Sequence, residues 1–433
     1  MFLLCVVVKE SFLLVSIFSG QGSCQVSFLN FMSSSNDQAA PTQVLVSQIG
    51  AREHYAIACA LRDQAVLAAM VTDFWVPKKH WFRFIPGLTR LRDRYLISLA
   101  SVMVLAPNIR MLSFELRQRI IKRRGWSVNM ARNTLFQKFA ISKFDKLAKQ
   151  HSELALFSYS YAARDLFNDA KKRGWETMLG QIDPGPEEEK IVAAEHERYP
   201  ELGSRWQPAP AEYWKSWRQE VDLADVVIVN SEWSKQCLIK EGVAAGKLQV
   251  IPLVYESKAS YCNDTAHEKS NHTDVVFQVL FLGQINLRKG VARLLEAMRL
   301  LRDEPIQLTL AGPCEIDPSS WADLPNVEWL GSVPRSEVGR LYEEADVFIL
   351  PTLSDGYAIT QLEALSRGLP VIASAHCGAA VDHGVNGWIL ADLEPKTIAE
   401  AITHARVENI KPVSTESSFT LDELGQSLVD LVR

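Results

Sequence analysis

From Thr42 onward, short apolar runs alternate with longer stretches in which apolar residues recur every three or four positions. The short runs are bounded by glycine, proline or polar clusters, which marks them as buried strands; the longer stretches read as amphipathic helices. In the first half this pattern predicts strands over 44–47, 66–72, 154–157, 177–180 and 225–231, with 250–252 closing the series. Helices fall between them. One carries Tyr55, Ile57, Ala58 and Leu61 on one side, another spans 162–173, and Glu187 to Glu189 open a third. Ser231 ends its strand as a helix cap.

A second series follows, with strands over 278–282, 306–311, 327–330, 346–350 and 370–373. Strands that alternate with helices form parallel sheets covered on both faces. Two such series therefore imply an α/β protein of two doubly wound domains facing across a cleft. Ligands of these folds bind where strands end, between the domains. The expected divisions are an N-terminal extension at 1–41, a first domain at 42–255 and a polar linker at 256–274. A second domain at 275–415 and a C-terminal helix at 416–433 complete the chain.

Charge sharpens this picture. The 433 residues carry a formal charge of −5, but 78–150 holds 17 Lys/Arg against 3 Asp/Glu, a net +14 that leaves −19 elsewhere. This block reads as largely helical, with Leu112, Leu116, Ile120 and Ile121 at helical spacing and Trp81, Phe82, Phe84, Trp126 and Phe136 interleaved. Cations mixed with aromatic residues point to an anionic membrane surface; the alternative is a solvated face beside a soluble acceptor. No nucleic-acid-binding module accompanies the block. The seven cysteines form no Cys-x-x-Cys pair, which argues against a structural zinc site or a disulfide framework and for a reducing, cytoplasmic setting. Residues 1–31 read either as a signal-like segment or as a start misassigned ahead of Met32, the second being favoured. The sequons at Asn263 and Asn271 fall in the polar linker.

The candidate chemistry concentrates in the second domain. Asp355 and Glu363 lie eight positions apart around a turn led by Gly356, between two apolar runs. A strand, a loop and a helix start in this order make an anion site, in which the amides of Tyr357, Ala358 and Ile359 face a phosphate. A diphosphate with a sugar at each end then uses one carboxylate for each polyol. The loop at Gly283-Gln284 leads to Arg288-Lys289, a cationic pair suited to neutralising the diphosphate. Gly312 and Val333 follow later strands and either line a nucleotide pocket or serve only as turn and packing residues. In the first domain, Gly50-Ala51 is a small pair at a helix start, which permits close backbone approach to a ligand. Asp183 is either a cleft-facing carboxylate or the cap of the next turn. His376 and His383 read as solvated loop residues.

These segments resemble glycosyltransferase family 4, retaining nucleotide-sugar enzymes of the GT-B fold, whose two domains are Rossmann-like. The resemblance runs from about Val44 to Leu390. It is strongest at Gly283 to Gly290, at the run ending in Leu350-Pro351, at Asp355 to Glu363 and at Gly368 to Ala373. It implies that Glu363 holds the donor ribose, that Asp355 bonds the transferred sugar, and that the amides after Gly356 hold the diphosphate. Lys289 would neutralise the leaving group, making a metal or other cofactor unnecessary, and Gly50-Ala51 would cover it from the first domain. The expected reaction moves a sugar from a UDP- or GDP-linked donor to a glycan, lipid-linked or small-molecule acceptor.

Three positions depart from the family pattern. Asp355 stands where glutamate is usual, Gln284 where arginine is usual, and the first-domain histidine has no match. Tyr159, Tyr161 or Asp183 occupy its neighbourhood, and Arg288 is placed to replace the missing charge. The departures keep alternatives open: a non-catalytic partner subunit, or another GT-B enzyme such as an epimerase or phosphorylase.

Overall fold

Fully buried apolar strands in parallel register organise the molecule, because each sheet has helices on both faces. The computed structural model describes residues 3–8, 11–16, 41–80, 91, 93–202, 206–255, 276–408, 410 and 419–432. The linker at 256–274, both sequons, and Trp81, Phe82 and Phe84 lie outside the described residues. Met1–Pro41 is a unit of its own, in which β1 (Leu3–Val8) pairs antiparallel with β2 (Ser11–Ser16). Thr42–Arg433 is the other unit.

The first sheet contains β3 (Gln43–Gln48), β4 (Leu67–Thr72), β5 (Val104–Leu105), β6 (Leu154–Tyr159), β7 (Glu176–Gln181), β8 (Val226–Val229) and β9 (Leu248–Val250). Their order is β5-β4-β3-β6-β7-β8-β9, all parallel. The second sheet contains β10 (Phe277–Leu282), β11 (Ile306–Ala311), β12 (Val327–Trp329), β13 (Val347–Leu350), β14 (Val371–Ser374) and β15 (Gly387–Leu390). Its order is β12-β11-β10-β13-β14-β15, again all parallel. Strand order reverses between β3 and β6 and between β10 and β13. Crevices open at such reversals because the flanking connections leave on opposite faces.

The predicted strands are present, except that the one closing the first series spans Leu248–Val250 rather than 250–252, and β5 and β15 are additional. A two-residue strand has no periodicity to detect, and β15 follows the exposed turn at His383–Val385, which masks its short apolar run. The basic block forms helices Asn108–Ile120 and Trp126–Ala148. The second buries Val128, Phe136, Ala140, Phe144 and Leu147, whereas the first buries only Met111. The helical spacing of Leu116, Ile120 and Ile121 therefore does not mark a core face: all three are exposed.

The last helix, Leu421–Asp430, returns to the first domain. A capping box between Thr420 and Glu423 starts it, and Leu424 and Leu428 join the core formed by Ile57, Ala58 and Leu61. Asp422 accepts a hydrogen bond from Gln64 Nε2 at 2.8 Å. The C-terminal segment thus belongs to the first domain's packing although it follows the second in sequence.

Candidate functional site

The loops after β10 and β13 meet at the reversal point of the second sheet. Gly290 makes this approach possible: its φ is +71°, and a Cβ there would sit 1.9 Å from Pro351 O. The Asn286 side chain accepts from Lys289 N at 3.1 Å, while Leu353 N and Thr352 Oγ1 donate to Arg288 O at 2.9 and 3.1 Å. These bonds deliver the cationic pair to Asp355. Lys289 Nζ pairs directly with the Asp355 carboxylate. Arg288 Nη1 lies 3.6 Å from Asp355 Oδ1, 3.7 Å from Glu188 Oε2, and donates to Ser354 O at 3.1 Å. Burial alone would raise the Asp355 pKa, but Lys289 and Arg288 outweigh it and hold the carboxyl below its ordinary range.

At Gly356 the second domain packs directly on the first-domain backbone at Ile182. A Cβ at this position would lie 2.1 Å from Ile182 O, so only glycine fits. The helix that follows is Ile359–Leu365, only seven residues, and it starts later than the sequence pattern implies. Glu363 is consequently little more than one turn into it, not two. Of the three amides expected to face a phosphate, that of Ala358 is already used, donating to Cys377 O at 3.1 Å. Tyr357 precedes the helix and Ile359 is its first residue, whose N–H has no acceptor within the helix. Glu363 Oε2 accepts from the buried Tyr342 hydroxyl at 3.0 Å, and Arg367 lies over the Tyr342 ring. Glu363 is therefore oriented by its neighbours and remains partly open.

First-domain loops supply the opposite wall. Asp183 accepts from the Tyr161 hydroxyl, from Gln181 Nε2 at 3.0 Å and from Gly185 N at 3.0 Å. It caps its turn and stays close enough to Arg288 and Arg52 to feel their charge; burial nevertheless raises its pKa. The Gly50 amide donates to Asp73 Oδ1 at 2.9 Å. After Ala51 the chain enters an uncommon run, with Glu53, His54 and Tyr55 at φ values of +48°, +51° and +66°. Left-handed non-glycine residues are costly and cluster at functional sites. This run lies at the reversal point of the first sheet. Burial pushes the Glu53 carboxyl up to about 7 despite its proximity to Tyr159 and Arg52.

The remaining sequence candidates line the ends of β10, β11 and β12. Gly283 N donates to Ala311 O at 2.9 Å and Gly312 N to Gly331 O at 2.8 Å. Gln284 is exposed, and Val333 packs partly buried on the second-domain core. Among the described residues no group of three or more His, Cys, Asp or Glu is arranged to hold a metal ion.

Sequence reasoning missed Glu188, Trp233 and the role of His376. Trp233 Nε1 donates to Ser354 Oγ at 3.1 Å and its ring stacks on His376 at 4.0 Å. His376 is thus half-buried at the domain contact, with its pKa lowered by burial, and is not a solvated loop histidine. Glu188 is hidden in an acidic run that looks like an ordinary helix start. No local signal separates it from Glu187 or Glu189.

The architecture defines the class: Thr42–Arg433 has the GT-B fold. Thermosynechococcus elongatus sucrose-phosphate synthase superposes with a TM-score of 0.54 at 17% identity, covering 90% of this chain and 95% of that one. Anabaena HepE in complex with UDP and glucose gives 0.56 at 14% identity, covering 90% and 99%. Within that fold, residues 276–406 match the family described as glycosyl transferases group 1. The amylovoran biosynthesis glycosyltransferase AmsK of Erwinia amylovora is 28% identical over 138 residues, 28% of this chain and 34% of that protein. The putative colanic acid biosynthesis glycosyltransferase WcaL of Escherichia coli is 23% identical over 183 residues, 36% and 45% respectively. The matched segments span a third to about half the length of these curated relatives. Among the described residues no helix is long and apolar enough to cross a membrane.

Proposed function

We propose that the protein is a retaining glycosyltransferase that moves a sugar from a UDP- or GDP-linked donor onto a glycan or lipid-linked acceptor in polysaccharide biosynthesis. The observation that carries this is the Arg288–Lys289–Asp355 cluster at the β10/β13 reversal point, with Glu363 one helical turn beyond. A diphosphate entering there exchanges one anion for another on Lys289, which frees Asp355 to accept from hydroxyls of the transferred sugar. Glu363, held by Tyr342, accepts from the ribose hydroxyls. The acceptor oxygen bonds to the anomeric carbon as the bond to the diphosphate oxygen breaks, and the acceptor proton passes to that departing oxygen. Charge developing on the diphosphate is the main barrier, and preorganised Lys289 and Arg288 stabilise it without a metal. The group 1 match, the polysaccharide-pathway names of the relatives and the UDP-bound neighbour support this reading.

A thermal-shift screen with UDP, GDP, ADP and their sugars tests it, because a ligand bound only by the folded state raises its melting temperature. One uridine or guanosine nucleotide should stabilise the wild type, with the shift reduced in Glu363→Ala and Lys289→Ala. Equal shifts in the wild type and both variants would remove the site assignment.

A specific surface favours association with the cytoplasmic face of a membrane. Ile109, Leu116, Ile120 and Ile121 are 69, 48, 79 and 46% exposed, beside Arg117, Arg119, Lys122, Arg123 and Arg124. Apolar anchors flanked by cations suit anionic headgroups. The protein should float with anionic phospholipid vesicles at low salt, and Ile109→Glu with Ile120→Glu should reduce flotation severalfold. Absence of flotation by the wild type rules the surface out as a membrane site.

A further inference from the structure

Beside the cationic pair lies a cavity of about 210 Å³. Helices Pro186–Arg198 and Ala211–Leu223 border it on the first-domain side, and Asn286, Leu287 and Arg288 on the other. Its walls are aromatic. Tyr161 and Tyr213 stack with centroids 4.8 Å apart and planes 17° apart; Trp126 lies 4.7 Å from Tyr213, and Trp206 stacks on His196 at 4.6 Å. The indole N–H groups of Trp126 and Trp214 anchor to Gln207 O at 3.2 Å and Glu189 Oε1 at 2.8 Å. Between the rings stand Asp183, Glu188, Glu189 and Glu315 against a single arginine. Glu188 Oε2 is buried and has no hydrogen-bond partner among the described residues.

We infer that this cavity is the acceptor subsite and takes one uncharged pyranose. An apolar sugar face stacks on fixed rings while its hydroxyls hydrogen-bond the carboxyl groups between them. The ion-pair contact of Glu188 Oε2 with Arg288 at 3.7 Å is too long for a hydrogen bond, so a sugar hydroxyl there would supply the bond this buried atom lacks. Even with Glu188 protonated, Asp183, Glu189 and Glu315 face a single arginine, which disfavours phosphorylated or acidic sugars. A volume below the roughly 300–1,000 Å³ of drug-sized pockets suits one ring, with the remaining acceptor outside. Arg288 lines the cavity and lies 3.6 Å from Asp355, so a ring seated here presents a hydroxyl next to the transferred sugar. The word acceptor rests on the transferase reading; sugar binding in this cavity does not.

Tryptophan fluorescence of the full chain provides the test, using methyl α-glucoside, methyl β-galactoside and methyl α-mannoside, with glucose phosphate as the charged probe. At least one neutral glycoside should quench saturably and bind more tightly than glucose phosphate. Its affinity should fall about tenfold or more in Trp126→Leu and in Trp206→Leu, two independent variants whose folding is checked by circular dichroism. No saturable quenching, equal binding of glucose phosphate, or undiminished binding in both folded variants overturns the inference. Hydrolysis of UDP- and GDP-sugars by the wild type is followed in parallel. Glycoside binding without hydrolysis refutes the transferase reading alone, and hydrolysis without glycoside binding refutes the subsite alone.

Discussion

Lys289 and Asp355 neutralise each other across two loops, so the residue most able to hold a diphosphate is also the one that keeps Asp355 ionised. Their pairing was legible as far as residue type and spacing go: a basic pair after one strand and a carboxylate after another. What stayed hidden was Glu188, whose surroundings come largely from the other domain. Burial pushes its carboxyl from the usual 4.5 up to about 8, with Arg288 opposing and Asp183 and Asp355 reinforcing the shift. An acid raised in the folded state favours its proton there, while the unfolded chain releases it at the ordinary value. Its contribution to stability is therefore full below about 4.5 and is lost as pH rises towards about 8. Glu188→Gln should flatten this dependence: between those limits the wild-type melting temperature should fall relative to the variant by on the order of a few °C. Parallel melting curves across that window would show that Glu188 carries no such linkage.

At the scale of elements, periodicity located nearly every strand because parallel strands buried on both faces are continuous apolar runs. It failed where an element is short or its apolar face has no partner. The helix Asn108–Ile120 has correct spacing yet leaves Leu116 and Ile120 exposed, since a pattern cannot say what covers it. The helix Ile359–Leu365 starts late because Ala358 N–H bonds to Cys377 O, a tertiary contact outside any local rule. A third hidden device is the buried Glu220. Its carboxylate accepts from the amides of Tyr161, Ala163 and Arg164 at 2.6, 3.0 and 3.1 Å, tying the loop after β6 to the helix Ala211–Leu223. Removing it leaves three amides without an acceptor. Glu220→Ala should cost at least about 3 kcal/mol in denaturant unfolding, from about 1–3 kcal/mol for each of three unsatisfied amides. A loss below about 1 kcal/mol would mean that water or a shifted side chain replaces the carboxylate.

Over the whole molecule, two sheets with reversed strand order bring their reversal points to one cleft, and the C-terminal helix returns to close the first domain's core. The two-domain plan was readable from the repeated strand–helix alternation. The helix's return was not, because Leu424 and Leu428 fit any amphipathic helix. Contacts across the cleft are specific. Arg293 grips the buried Glu195 through two bonds of 2.8 and 2.6 Å, Tyr199 donates to Glu296 at 2.9 Å, and Trp233 stacks on His376. They hold Asp183, Glu188, Arg288 and Asp355 within one site drawn from both domains. The central claim, that Lys289 stabilises a departing nucleoside diphosphate, is tested most directly by following donor cleavage by NMR in the presence of EDTA. The account predicts release of UDP or GDP from a matching nucleotide sugar, undiminished by the chelator and about 100- to 1,000-fold slower in Lys289→Ala. Cleavage that stops with EDTA, or that proceeds equally well without the Lys289 side chain, would contradict it.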